Sequence, residues 1–205
     1  MKRKISKRAA GLLVCLILVI GVAVGGALAY VFTKPPTVEN EFTPAQVSCA
    51  VVETFENNVK ENVRIRNTGD ATAYIRVTMV VTWKYQDSDG IDHVYAQAPV
   101  ENVDYAISYA NDPAWLQAED GFWYYIYPVA CEKDAASADE TLTSTLLQRV
   151  EQLAGATVPD GYHLSVEIVA SAIQAYPSTA AGENWGLIVD QNGVVTDVDS
   201  KGGAV

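Results

Sequence analysis

From residue 47 onward the chain is written in short runs of β-branched and aromatic residues, interleaved with polar ones and separated by turn formers. That pattern is the signature of half-buried strands rather than of helices. Residues 47–55 make the first run. Residues 59–67 alternate, with Val59, Val63 and Ile65 interleaved by Lys60, Arg64 and Arg66, which predicts a strand with one apolar face. Asn67-Thr68-Gly69-Asp70 follows as a turn, because Asn and Gly tolerate positive φ. The longest run, 72–85, carries Tyr74, Ile75, Val77, Met79, Val80, Val81 and Trp83 at both parities. Such crowding predicts a central strand covered on two sides, or a local irregularity. Asp87-Ser88-Asp89-Gly90 then closes a hairpin that returns through 91–96. Further strands are expected at 105–109, in the aromatic run 122–127 and at 162–175. Leu146, Leu147, Val150 and Leu153 fit helical spacing, with a strand over 146–154 as the competing reading. Asp190 onward reads as a loose, Gly-rich tail. Roughly seven or eight strands with a turn every ten or so residues predict an all-β fold, an antiparallel β-sandwich.

Ahead of this body the pattern changes. Lys2, Arg3, Lys4, Lys7 and Arg8 are followed by 24 residues, 9–32, without a charged side chain. As a helix, such a stretch spans a hydrocarbon core of roughly 30 Å, and the basic flank favours the cytoplasmic side. The body is therefore expected outside the cell. Gly25-Gly26 interrupts the apolar run, and Ala27 and Ala29 put small residues where a signal peptidase reads, so that cleavage would leave Tyr30 first. The rival reading keeps 9–32 as an uncleaved membrane anchor. Lys34-Pro35-Pro36-Thr37 begins a stiff linker. The expected organisation is thus a signal peptide or anchor over 1–29, an extended linker over 30–45, a β-sandwich over 46–188 and a flexible tail over 189–205.

Charge separates the same two parts. The whole chain has 14 basic and 25 acidic residues, net −11; without the five basic residues of the leader, nine face 25 acids and the net is −16. A body that acidic repels phosphate backbones, so nucleic acid is not an expected partner. A hydrophobic fraction of 49% nevertheless suffices for a core.

Chemistry is sparse in this body. His93 and His163 stand 70 positions apart with no His-Glu-x-x-His helix, and no Gly-x-Ser-x-Gly elbow or phosphate-binding loop occurs. No catalytic residue and no organic cofactor is expected. Asp87, Asp89 and Asp92 surround Gly90 in the way loops offer oxygens to Ca²⁺, although Ala98 occupies the place of an EF-hand's last ligand; a solvated hairpin tip is the alternative. Cys49 and Cys131, 82 positions apart in an exported body, are either a disulfide or two buried thiols. The run 122–127 is read as core packing, with a sugar-stacking platform as the alternative.

These segments together resemble a known group. Gly25-Gly26-Ala27-Leu28-Ala29-Tyr30-Val31-Phe32-Thr33 resembles the signal peptides of Gram-positive proteins exported through the SipW type of signal peptidase. Glu53-Thr54-Phe55, the run from Lys60 through Asp70, Ala73-Tyr74-Ile75-Arg76-Val77, Asp120-Gly121-Phe122-Trp123-Tyr124-Tyr125, Ala172-Ile173-Gln174-Ala175 and Trp185-Gly186 extend the likeness. The set is similar to the TasA and camelysin family of secreted surface and biofilm-matrix proteins. The resemblance implies a jelly-roll-like sandwich at the cell surface that self-associates into fibres. Camelysin-like members are surface metalloproteases, but no zinc motif is present to carry that activity over. Tyr30, Val31 and Phe32, freed by cleavage, form a short apolar segment able to add to a neighbour's sheet edge. The rival function is a membrane-anchored extracellular adhesin or ligand-binding domain.

Overall fold

The computed structural model describes residues 45–56 and 59–199. The apolar segment 9–32, the cleavage residues Ala27, Ala29 and Tyr30, and the assembly segment Tyr30, Val31 and Phe32 lie outside the described residues. What is described is mostly strand, and every pairing between its strands is antiparallel.

One sheet takes the order β1–β2–β8–β5, built from Cys49–Glu56, Val59–Asn67, Leu147–Gln152 and Tyr105–Tyr109. The second is organised on β3, Ala73–Gln86. Along one side β3 pairs with β9, His163–Gln174, in unbroken register from Ala73↔Gln174 to Lys84↔His163. Its other side is shared: β7 (Trp123–Tyr125) pairs at Arg76 and Val77, and β4 (Asp92–Val94) at Lys84 to Gln86. β6 (Trp115–Gln117) continues outward from β7.

Side-chain parity explains why the sheets come together. Ile75 and Val77 of β3 are buried with Val63 and Ile65 of β2 and with Leu147 and Val150 of β8, and Val166, Ile168 and Ala170 of β9 pack on the same cluster. The opposite parity of β3 is covered too. Tyr74 joins Tyr124, Ala175, Ala181, Leu187 and Val195 in a second cluster, beneath the short helix α1 (Thr179–Trp185) and a hairpin of β10 (Leu187–Val189) and β11 (Val195–Val198). The two-sided apolar pattern of 72–85 therefore reports two cores, one on each face of the first half of β3.

The helical spacing near residue 150 also has a physical cause. Ser108 lies opposite Arg149 and Tyr109 opposite Leu147, a register shift that leaves Gln148 as an extra residue. Leu147 and Val150 consequently both face the core although three positions apart. The irregularity crosses the sheet: β1 and β2 shift register between Val52 and Thr54, where Asn62 has φ 56°. One extra residue reverses the face of everything beyond it. Lys60, expected outward with Arg64 and Arg66, instead pairs with the buried Val150 and turns inward.

The tail expected from 189 is folded as far as Asp199. Asp190 Oδ1 accepts the Asn192 and Val194 amides, both at 2.8 Å, Gly193 takes φ 81°, and the chain returns to bury Val195. Tyr74 donates its hydroxyl to the Gly193 carbonyl at 2.9 Å, tying this hairpin to β3. Sequence reading saw the Gly and Asp of the turn and missed the apolar residues on either side of it.

Gly186 ends α1 with φ 67°, and a Cβ there would sit 2.3 Å from the Asp199 carbonyl oxygen. Gly186→Ala is expected to destabilise by about 2 kcal/mol or more in urea unfolding. A loss below about 0.5 kcal/mol, the range of an ordinary surface change, would mean that the helix and hairpin do not close on each other as described.

Candidate functional site

Strands β1 and β9, like β4, β5, β6 and the two strands of the β10–β11 hairpin, have a paired neighbour on one side only among the described residues. β1 and β9 border the same cleft. Glu53 and Phe55 of β1 face His163, Leu164, Ser165 and Val166 of β9 across a volume of about 370 Å³, with Lys60 and Val150 also lining it. The register slip puts Lys60 here: its ammonium binds Glu53 Oε1 and lies 5.5 Å from the centre of the Phe55 ring. Glu53 Oε2 is buried without a partner, which leaves one carboxylate oxygen able to accept a further hydrogen bond. Phe55 is 60% exposed, and Val52 and Val169 are also solvent-facing. The flank therefore combines two rows of available backbone groups, an uncovered aromatic ring and one inward-facing ion pair. Inward charge at an edge discourages indiscriminate strand pairing.

The three hairpin carboxylates are not gathered around a common point. Asp87 Oδ1 accepts the Asp89 and Ile91 amides at 3.0 and 2.9 Å, and Oδ2 meets His93 Nε2 at 2.8 Å. Asp92 instead turns to Gln86 Nε2 at 3.1 Å and Lys84 Nζ at 3.5 Å. No group of three or more His, Cys, Asp or Glu suited to a metal ion occurs among the described residues. The His93 hydrogen bond and then the Ile91 amide pull the Asp87 carboxyl below the ordinary carboxylate range.

Cys49 and Cys131 are both free thiols, the first half-buried and the second fully buried. Burial pushes both thiols upward, and for Cys131 the Asp134 carboxylate, 3.0 Å from Sγ, adds to the rise. Neither thiol has the depressed pKa of a nucleophile. His163 stands on the β9 side of the cleft, and His93 is taken up by the hairpin.

The aromatic run is absorbed by packing on both faces as far as Ile126, while Tyr127 stays exposed. Trp123 stacks on Tyr109 at 4.8 Å, Tyr125 tilts against Trp115 at 5.1 Å, and Phe122, Tyr124 and Ile126 belong to the second core. Arg76 lies between Phe122 and Trp185, 4.3 and 4.4 Å from their ring centres, and fastens α1 to the sheet. Sequence reasoning missed this clamp, whose partners are 46 and 109 positions away from Arg76. It also missed the cleft, which depends on a register slip that alternation conceals.

No protein-family model, curated protein or solved structure matches the chain.

Asp87→Ala should free the amides of Asp89 and Ile91 and raise their hydrogen-exchange rates by about tenfold or more, with the β3–β9 amides unchanged. Because the folded pKa of Asp87 is lowered, the stabilisation is complete above the ordinary carboxylate pKa of about 4 and is lost as pH falls through the folded value. Protection of the two amides at pH 5 should thus match that at pH 7 after correction for intrinsic exchange. Loss already complete at pH 5 would assign it to another group.

Proposed function

We propose that this chain is an exported, non-enzymatic structural protein of the cell surface or biofilm matrix that self-associates into fibres by β-strand addition. The observation that carries this reading is the open flank of β1 and β9, with the exposed Phe55 beside its cleft. An edge offers backbone donors and acceptors to an incoming strand, and side-chain pockets select its register. In this reading the described domain is a jelly-roll-like sandwich of the TasA and camelysin family. The occupant is Tyr30-Val31-Phe32 of another copy, exposed as a new terminus once a SipW-type peptidase cuts after Ala29.

Chain length permits the exchange. The residues from Thr33 to Thr43 can extend about 35 Å, comparable with a small domain's diameter of about 30 Å. A terminus that cannot reach back into its own flank, or reaches a neighbour's more readily, makes a head-to-tail contact; such contacts do not close and yield filaments. The body stays outside the cell, released after cleavage or held on the membrane by 9–32 before it. A divalent cation such as calcium would favour the contact by screening the −16 body.

Electron microscopy of 30–205 beside 41–205 tests the reading. Filaments from 30–205 and none from 41–205 are expected, whereas equal filament formation would eliminate the donor-strand role. Yield should also rise with salt and with mild acid as like charge is screened or neutralised. A yield flat in both variables would contradict the electrostatic part.

A further inference from the structure

The inner face of β3 does not stop where the core does. Trp83 and Tyr85 continue it toward the hairpin, His93 lies opposite Tyr85, and the Tyr95 amide donates to the Trp83 carbonyl at 3.0 Å, which places Tyr95 opposite Trp83. Four aromatic side chains thus share one face of a two-stranded ribbon. Its other face carries Lys84, Gln86 and Asp92, bonded together, beside the exposed Val94. Tyr162, just before β9, joins the aromatic face, 5.8 Å from Tyr85 and 5.2 Å from Tyr95 between ring centres. Trp83 is 3% exposed and completes the core, but Tyr85 and Tyr95 remain 40% and 41% exposed.

Beside Tyr95 lies a cleft of about 190 Å³, floored by Trp83 and edged by Gln97, Asp104 and Thr157. Asp104 is 8% exposed and rigidly held: Oδ2 accepts the Val100 amide at 2.8 Å and Oδ1 the Thr157 amide at 3.1 Å. Each of these oxygens keeps a second lone pair, the Gln97 amide offers two donors and an acceptor, and the Thr157 hydroxyl offers both roles. No Lys or Arg lines the cleft.

We propose that this cleft is a saccharide-binding site, which stacks one ring of a neutral pyranose polymer on Tyr95 and takes its hydroxyls on Gln97, Asp104 and Thr157. The chemistry selects that class. The C–H face of a pyranose is slightly positive and complements the negative face of an aromatic ring, while planar amide and carboxylate groups match vicinal hydroxyls. The volume suits about one sugar ring, smaller than a drug-sized pocket. A fixed carboxylate without a cation in the lining disfavours anionic ligands. An anionic lipid surface would in addition meet Asp87, Asp89 and Asp92 at the tip of the same hairpin. The site is independent of strand addition, because it uses none of the residues lining the β1–β9 cleft.

Calorimetric titration of the full chain in mild detergent with cellohexaose and with N-acetylchitohexaose tests the proposal. Saturable binding of at least one probe at about 0.1–1 mM is expected, a modest affinity for a shallow site. Tyr95→Ala should weaken it about tenfold or more and Tyr95→Phe, which keeps the ring, less than about threefold. Gln97→Ala, at an exposed position, should weaken it about threefold or more with Tm unchanged. Tyr127→Ala, an exposed ring following β7 at the other end of β3, should leave binding as it was. No binding of either probe below about 10 mM overturns the site. So does an equal effect of Tyr95→Ala and Tyr127→Ala, or a Tyr95→Ala variant that loses filament formation while keeping sugar affinity, which would make the patch a contact between copies. Should Tyr95→Ala fail to fold, Tyr95→Phe and Gln97→Ala decide.

Discussion

The antiparallel ladder between β3 and β9 is the constraint on which the rest depends. Its register runs without interruption from Ala73↔Gln174 to Lys84↔His163. Backbone groups buried along such a ladder have no water to return to, so a slip of one residue would leave them unpaired and exchange the faces of both strands. Because β3 carries apolar side chains at both parities, either slip would also disorder a core. The inner parity holds the two sheets together through Ile75 and Val77; the outer parity holds α1 and the β10–β11 hairpin through Tyr74.

That ladder also creates the feature that points to function. β9 is fixed by β3 on one side and meets no strand on the other among the described residues, and β1 stands in the same condition across the cleft. The flank is neither fully apolar nor fully polar: Phe55 is left uncovered beside a Glu53–Lys60 pair whose second carboxylate oxygen is unbonded. Inward charge of this kind discourages random pairing, and in the proposed reading the remaining space takes a chosen strand. At the far end of β3 the same inner face runs on into the Tyr85–Tyr95 hairpin. One strand therefore links a proposed assembly surface to a proposed ligand surface.

Strand positions were legible where alternation was simple. The runs at 59–67 and 105–109 coincide with β2 and β5, and those at 72–85 and 162–175 with β3 and β9 to within a residue at each end. The crowding of 72–85 was legible as two-sided cover. Helix-like spacing at Leu147 and Val150 and the outward placement of Lys60 were misleading for one reason, a register slip across the first sheet that reverses side-chain faces. α1 and β6 escaped because seven- and three-residue elements carry too little periodicity to stand out. Tyr85, His93, Tyr95 and Tyr162 were visible only as separate residues; their clustering comes from hairpin register and from the chain's return at β9. The export segment is the part of the reading most dependent on sequence alone.

Hydrogen–deuterium exchange on separated monomer and filament fractions of the cleaved chain tests the central claim most directly. Alternate β9 amides point away from β3 and, with those on the free edge of β1, should exchange rapidly in the monomer. In filaments these edge amides and the amides of residues 30–32 should gain protection together, while amides within the β3–β9 ladder stay protected in both. Filaments in which β1 and β9 edge amides exchange as fast as in the monomer would contradict the account, because the chains would then be joined through some other surface.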